Sequence, residues 1–193
     1  MKIGFDAKAL VGKRTGIGNY IWNLLNEIAC LMPEAEFIAY CPEGFTPSFP
    51  ENLKDPLTRS NRAYPLMSGY FWLKWRSISL IEKDNINVFW APRTLYPSQL
   101  IGKIPVVTTV YDLNHLTCPE TMQIINLLAH KLYFKHDVVK ATKVVAISLG
   151  TAEKVEKLLN RHVDSVVVPG TGSEFSPRNT TEILAVRQKY NLL

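Results

Sequence analysis

The stretch IPVVTTVYDLNHLTCPE, residues 104–120, decides the architecture. Five residues, Val106 to Val110, form an apolar and β-branched run with a proline ahead of it and polar Asp112, Asn114 and His115 behind it. A run this short and this uniformly apolar reads as a strand buried on both faces. Similar runs lie on either side: residues 144–147 and 163–168 downstream, and 87–91, 36–41 and 2–6 upstream. Between them the apolar spacing turns helical. Ile17, Tyr20, Ile21, Leu24, Leu25, Ile28 and Leu31 share one helical face, which stops at Pro33. Strands covered on both faces and separated by helices imply an α/β chain, Rossmann-like, with three α/β/α layers and a mostly parallel sheet of six or seven strands.

The remaining elements follow the same rules. Residues 42–60 carry four prolines and read as a loop, followed by a short strand at 62–66. An aromatic-rich helix is expected over 70–83. A longer helix is expected from Glu120 to about Val139, opened by Pro119. Ser148 is placed to cap a helix running to Leu159. Residues 169–180 read as a linker after a domain spanning 1–168, and residues 181–193 as the first helix of a further domain.

Composition narrows the class. Lys and Arg total 22 against 17 Asp and Glu, a net charge of +5 spread thinly along the 193 residues. That disfavours a dedicated nucleic-acid binder, which concentrates its cations. Cys30, Cys41 and Cys118 are scattered and odd in number, which suits a reducing, cytoplasmic setting. No segment reads as a signal peptide, and no apolar run approaches the ~20 residues of a membrane span. Tyr70, Phe71, Trp72 and Trp75 beside Lys74 and Arg76 read either as core or as a peripheral contact with the inner face of the cell membrane.

In a parallel sheet, ligands bind beyond the C-terminal strand ends. The loops to inspect are 7–19, 111–118 and the one after Ile147. In the first, Gly16 and Gly18 flank Ile17 at the start of a helix, with Asn19 next. This is either a structural turn or a place where backbone N–H groups meet an anion or a sugar. Ile21 stands where a dinucleotide fingerprint needs its third glycine, so nicotinamide binding is disfavoured. In the second, Asp112 either orients sugar hydroxyls or moves a proton, or it simply closes the loop on its own backbone. His115 reads as structural. Ser148 is explained by capping, to which a ligand contact can be added. The four histidines lack metal-ligand spacing, and neither a G-x-S-x-G elbow nor a phosphate-binding P-loop is present. No metal and no cofactor are expected.

Taken in register, TGIGNY (15–20), VFWAPRTLYP (88–97), the stretch at 104–120, VVAISLGTAEKV (144–155) and VVVPGTGSEFSP (166–177) resemble the N-terminal half of the group 1 (family 4) retaining glycosyltransferases of GT-B fold. The resemblance covers essentially the whole chain. It implies transfer of a hexose from a nucleotide-sugar donor to a saccharide or lipid-linked acceptor with retention, in cell-surface polysaccharide or lipopolysaccharide synthesis. By the same resemblance, Gly16, Gly18 and Asn19 lie near the donor phosphates. Asp112 matches the Asp of the family's His-Asp pair, with Tyr111 standing where the His is usual. Ser148 matches a hydroxyl that opens the next helix. The family's nucleotide-gripping Arg, Lys and Glu-x7-Glu pair belong to a second domain. Glu43/Glu51 and Glu174/Glu182 share that spacing by chance. The rival reading is a self-contained, non-catalytic Rossmann-like module that binds a ligand or a partner.

Overall fold

A computed structural model describes residues 1–62, 69–170 and 175–192. Its centre is a seven-stranded sheet in the order β3-β2-β1-β4-β5-β6-β7, with every neighbouring pair parallel. The strands are β1 (Lys2–Asp6), β2 (Glu36–Tyr40), β3 (Leu57–Arg59), β4 (Val88–Ala91), β5 (Val106–Val110), β6 (Lys143–Ala146) and β7 (Ser165–Val166). The helices are α1 (Gly16–Leu31), α2 (Tyr70–Trp75), α3 (Ile78–Asp84), α4 (Asn114–Thr117), α5 (Ile124–Lys140), α6 (Leu149–Leu159) and α7 (Thr180–Lys189).

Side chains alternate between sheet faces along each strand, and the two cores follow from that alternation. Phe89 and Val106 join Trp72, Ile81, Phe134, Val138 and Val155 on one face. Trp90, Phe5 and Phe37 join Ile21, Leu25 and Ala29 of α1 on the other. The three-layer α/β/α architecture is therefore that of a doubly wound parallel sheet. At Gly4 in β1 the absence of a side chain is a packing requirement. A Cβ there would lie 2.7 Å from the Ile86 side chain and 2.9 Å from the Tyr40 ring.

Several elements differ from expectation. The third strand lies at 57–59, inside the segment read as loop, where it pairs with Ile38–Tyr40 of β2. Backbone pairing to a neighbour, invisible to composition, makes it a strand. The expected strand at 62–66 falls mostly outside the described residues. The helix expected over 70–83 breaks at Arg76-Ser77, where the Ser77 hydroxyl donates to the Leu73 carbonyl at 2.6 Å. Pro119 opens only a short 3₁₀ turn, and the long helix starts later, at Ile124. The last strand is two residues long rather than six.

The aromatic segment divides as well. Trp72 is buried and its indole N–H donates to Asn61 Oδ1 at 2.8 Å, whereas Trp75 and Arg76 are exposed. Lys74, a surface cation only on the membrane-contact reading, is buried and ion-paired with Asp137 of α5 at 2.7 Å. The face proposed for membrane contact therefore loses its lysine and one indole to the core, because α2 packs against α5. Among the described residues, no helix is long and apolar enough to cross a membrane.

Candidate functional site

The strand order reverses between β1 and β4, and such a switch point opens a crevice beyond the strand ends. Asp6, the last residue of β1, is buried there and accepts Arg93 Nε at 2.6 Å and the Lys8 backbone N–H at 3.1 Å. Arg93 comes from the turn that follows β4. The next residue, Thr94, has φ of +74°, a left-handed conformation that a β-branched residue resists. Two bonds hold it there. The Thr94 hydroxyl donates to the Thr109 carbonyl at 2.7 Å, and the Thr108 hydroxyl donates to the Thr94 carbonyl at 2.7 Å. β5 thereby clamps the turn that presents Arg93, whose guanidinium also lies 4.5 Å from the Tyr70 ring centroid.

Arg93 and Thr94 form one wall of a pocket of about 180 Å³. Tyr111 and Asp112, directly after β5, continue that wall, and Ile17 reaches in from the first turn of α1. Across from them stands α5, with Asn126, His130 and Phe134. The pocket thus lies where the segments after β4 and β5, at the C-terminal edge of the sheet, meet the first turn of α1.

Its lining is mixed, with the ion-paired Arg93, the Asp112 carboxylate, the His130 imidazole and the rings of Tyr70, Tyr111 and Phe134. The Tyr111 hydroxyl is buried and has no hydrogen-bond partner among the described residues. Its ring meets that of Tyr20 edge-on at 5.5 Å, and burial pushes its ionisation well above the usual phenol range. It is therefore a neutral donor or acceptor. His130 Nδ1 lies 2.8 Å from the Asn126 carbonyl. A neutral imidazole donating there leaves Nε2 as an acceptor. Burial holds His130 below the ordinary imidazole value, against the opposing effect of that backbone bond.

Each residue singled out in the sequence has a definite place. Tyr111 and Asp112 line the pocket together. Asp112 Oδ1 accepts the Asn114 N–H at 2.9 Å, closing the loop on itself. Gly16 is exposed in the first turn of α1, with open space where a Cβ would stand. Gly18 is buried, and a Cβ there would sit 2.6 Å from the Ala9 carbonyl oxygen, so packing alone requires this glycine. Asn19 is exposed and accepts Arg14 Nε at 3.3 Å. Ser148 caps α6, accepting the Thr151 N–H at 3.1 Å, while the Thr151 hydroxyl donates to the Tyr111 carbonyl at 3.0 Å. His115 is buried against Phe134, ring centroids 4.2 Å apart, as a structural residue.

Arg93, Tyr70 and His130 were not marked by the spacing rules. Arg93 had a legible signal, since the loop after β4 also leaves the C-terminal edge of the sheet. His130 and Tyr70 reach the pocket through tertiary packing, which periodicity does not encode. Among the described residues, no group of His, Cys, Asp and Glu is placed to hold a metal ion.

No protein-family model matches the chain, and no curated protein does. Solved structures do match, among them a glycosyltransferase from Rickettsia africae ESF-5, with a TM-score of 0.52 and 15% sequence identity. The alignment covers 100% of this chain and 50% of that one. The chain therefore shares its fold with about half of that structure and builds it on a wholly parallel sheet.

Proposed function

We propose that this chain is the acceptor-side domain of a retaining hexosyltransferase, residues 1–168, joined by a linker to a second Rossmann-like domain that grips a nucleotide-sugar donor. The observation that carries the reading is the pocket at the strand-order switch point. There Ile17 of the first turn of α1, Arg93, Tyr111 and Asp112 line one cavity. The match to half of a larger glycosyltransferase chain supports the division of labour.

In the reaction, a saccharide or lipid-linked acceptor occupies the pocket with a hydroxyl turned toward the donor sugar. Its hydroxyls are held by Asp112, whose Oδ1 is already engaged by its own loop. The diphosphate departs from the anomeric carbon as the acceptor oxygen bonds to the same face, and the proton of the acceptor hydroxyl passes to the departing diphosphate oxygen. The positive end of α1 at Gly16 favours the charge that develops on the leaving group. Neither a metal nor a cofactor is assigned to this domain.

The test is hexose transfer by the chain extended through a following Rossmann-like domain. A panel of nucleotide sugars is supplied, and the anomeric configuration of the product is read by NMR. Retention supports the reading. Inversion would overturn retention and leave a transferase of the other stereochemistry, and absence of transfer with every donor and acceptor tried points to a ligand-binding module instead.

A further inference from the structure

We infer that the outward face of α5 is a docking surface for an anionic phospholipid bilayer. Ile124, Leu128 and Leu132 recur every fourth residue and are 80%, 51% and 56% exposed, with Ile125 beside them at 46%. They form one stripe of the helix surface, about 12 Å long at the α-helical rise. The opposite side of α5 is already filled by Ala129, Phe134 and Val138, so the stripe is not a misplaced core.

The charges on this helix favour a lipid occupant. Its exposed ionisable side chains are Lys131, Lys135, His136 and Lys140. Its one acid, Asp137, is turned inward and neutralised by Lys74 at 2.7 Å. The nearest exposed carboxylate in sequence is Glu120, in the turn before the helix. Helices that stay in solution intersperse both signs on their outer face. Apolar side chains flanked by cations alone match an interfacial helix lying on an anionic surface. A second copy of the chain is disfavoured as occupant, because a two-fold contact through the stripe would gather two sets of Lys131 and Lys135 with no exposed acid of α5 to pair them.

The placement links surface to site. Asn126, His130 and Phe134 line the pocket from the inner flank of the same helix. Docking by the outer flank brings the pocket to the level of the lipid headgroups. On the function proposed above, this selects a lipid-linked acceptor over a soluble saccharide. Docking itself does not rest on that function.

The test is co-sedimentation of the 193-residue chain with vesicles of phosphatidylglycerol and phosphatidylcholine, against vesicles of phosphatidylcholine alone. The chain should bind the anionic vesicles selectively and leave them as salt rises. Lys131→Gln with Lys135→Gln should lower the partition coefficient about thirty-fold, and Leu128→Ser with Leu132→Ser should reduce it at least as much. All four positions are exposed, so the variants should melt like the parent. Lys154→Gln with Lys157→Gln, on the surface of α6, serves as the control. An equal loss in the control would mean diffuse attraction by net charge and would overturn the docking face. So would failure to bind anionic vesicles, or a dimer in sedimentation equilibrium that Leu128→Ser with Leu132→Ser dissolves. Hexose transfer to soluble acceptors, measured separately, reports on the proposed function without reference to docking.

Discussion

Tyr111 carries a buried hydroxyl with no hydrogen-bond partner among the described residues. An unpaired buried polar group costs stability, so Tyr111→Phe should raise the unfolding free energy by about 1 kcal/mol in urea titration. The same change should lower turnover of the extended enzyme if the hydroxyl holds substrate. Unaltered kinetics would remove Tyr111 from the site, and a loss of stability would mean that the hydroxyl has a partner. His115 makes a different prediction. Burial, and then the neighbouring His130, push its pKa from 6.5 down to about 4, against a small opposing effect of Asp112. The unfolded chain therefore binds a proton between those values while the folded chain does not. Stability should fall as pH drops from about 7 to about 4, by up to about 3 kcal/mol from this residue. His130 contributes in the same direction. Melts in a pH series should show the decline, and His115→Phe, which keeps the contact with Phe134, should flatten it.

At the scale of the element, α1 separates two glycines that look alike in sequence. A side chain at Gly18 meets the Ala9 carbonyl, a backbone atom that cannot swing aside. Gly18→Ala should cost about 1–3 kcal/mol of stability. A side chain at Gly16 meets nothing within 4 Å, so Gly16→Val should leave the melt within a few tenths of a kcal/mol of the parent. It should nevertheless lower turnover in the extended enzyme, if a ligand approaches the backbone there. Parallel melts and kinetics on the two variants decide both roles. Equal destabilisation by the two changes would contradict the packing of this helix. Long α5 behaves as a fixed element for a related reason. Its Asp137 accepts Lys74 Nζ and the Tyr96 N–H, with neither ion-pair side chain more than 2% exposed. Asp137→Ala would leave a buried ammonium unpaired, and should cost about 3–5 kcal/mol in urea titration. A loss below about 1 kcal/mol would mean that the pair does not anchor the helix.

For the molecule as a whole, the proposed division into two domains predicts that residues 1–193 are inert alone. A helix end and a few N–H groups on this side of a cleft contribute about 1 kcal/mol toward an anionic donor. Millimolar binding already needs about 4 kcal/mol. Titration calorimetry of this chain with nucleotide sugars should therefore show no heat of binding, and no donor hydrolysis should follow. Tight binding by this chain alone would favour a module complete in itself.

The α/β class, the parallel sheet, the amphipathic face of α1 and the cap at Ser148 were determined by the sequence itself, because each rests on local chemistry. Val106–Val110 is legible as a central strand since burial on both faces demands an unbroken apolar run. Ile21, Leu25 and Ala29 face the core at the spacing that 3.6 residues per turn requires. Asp112 was legible as lying at the ligand edge because a polar break after such a strand must emerge at its C-terminal end, whereas Tyr111 was marked only by the family resemblance. The tertiary structure decided the rest. Leu57–Arg59 is a strand only because β2 offers it a ladder. Lys74 is a core residue only because Asp137, 63 positions away, neutralises it. Arg93 and His130 face one cavity because a strained Thr94 turn and a helix packed across the sheet bring them there. Such pairings depend on which distant groups meet, and desolvation makes those meetings strong. No local pattern records them.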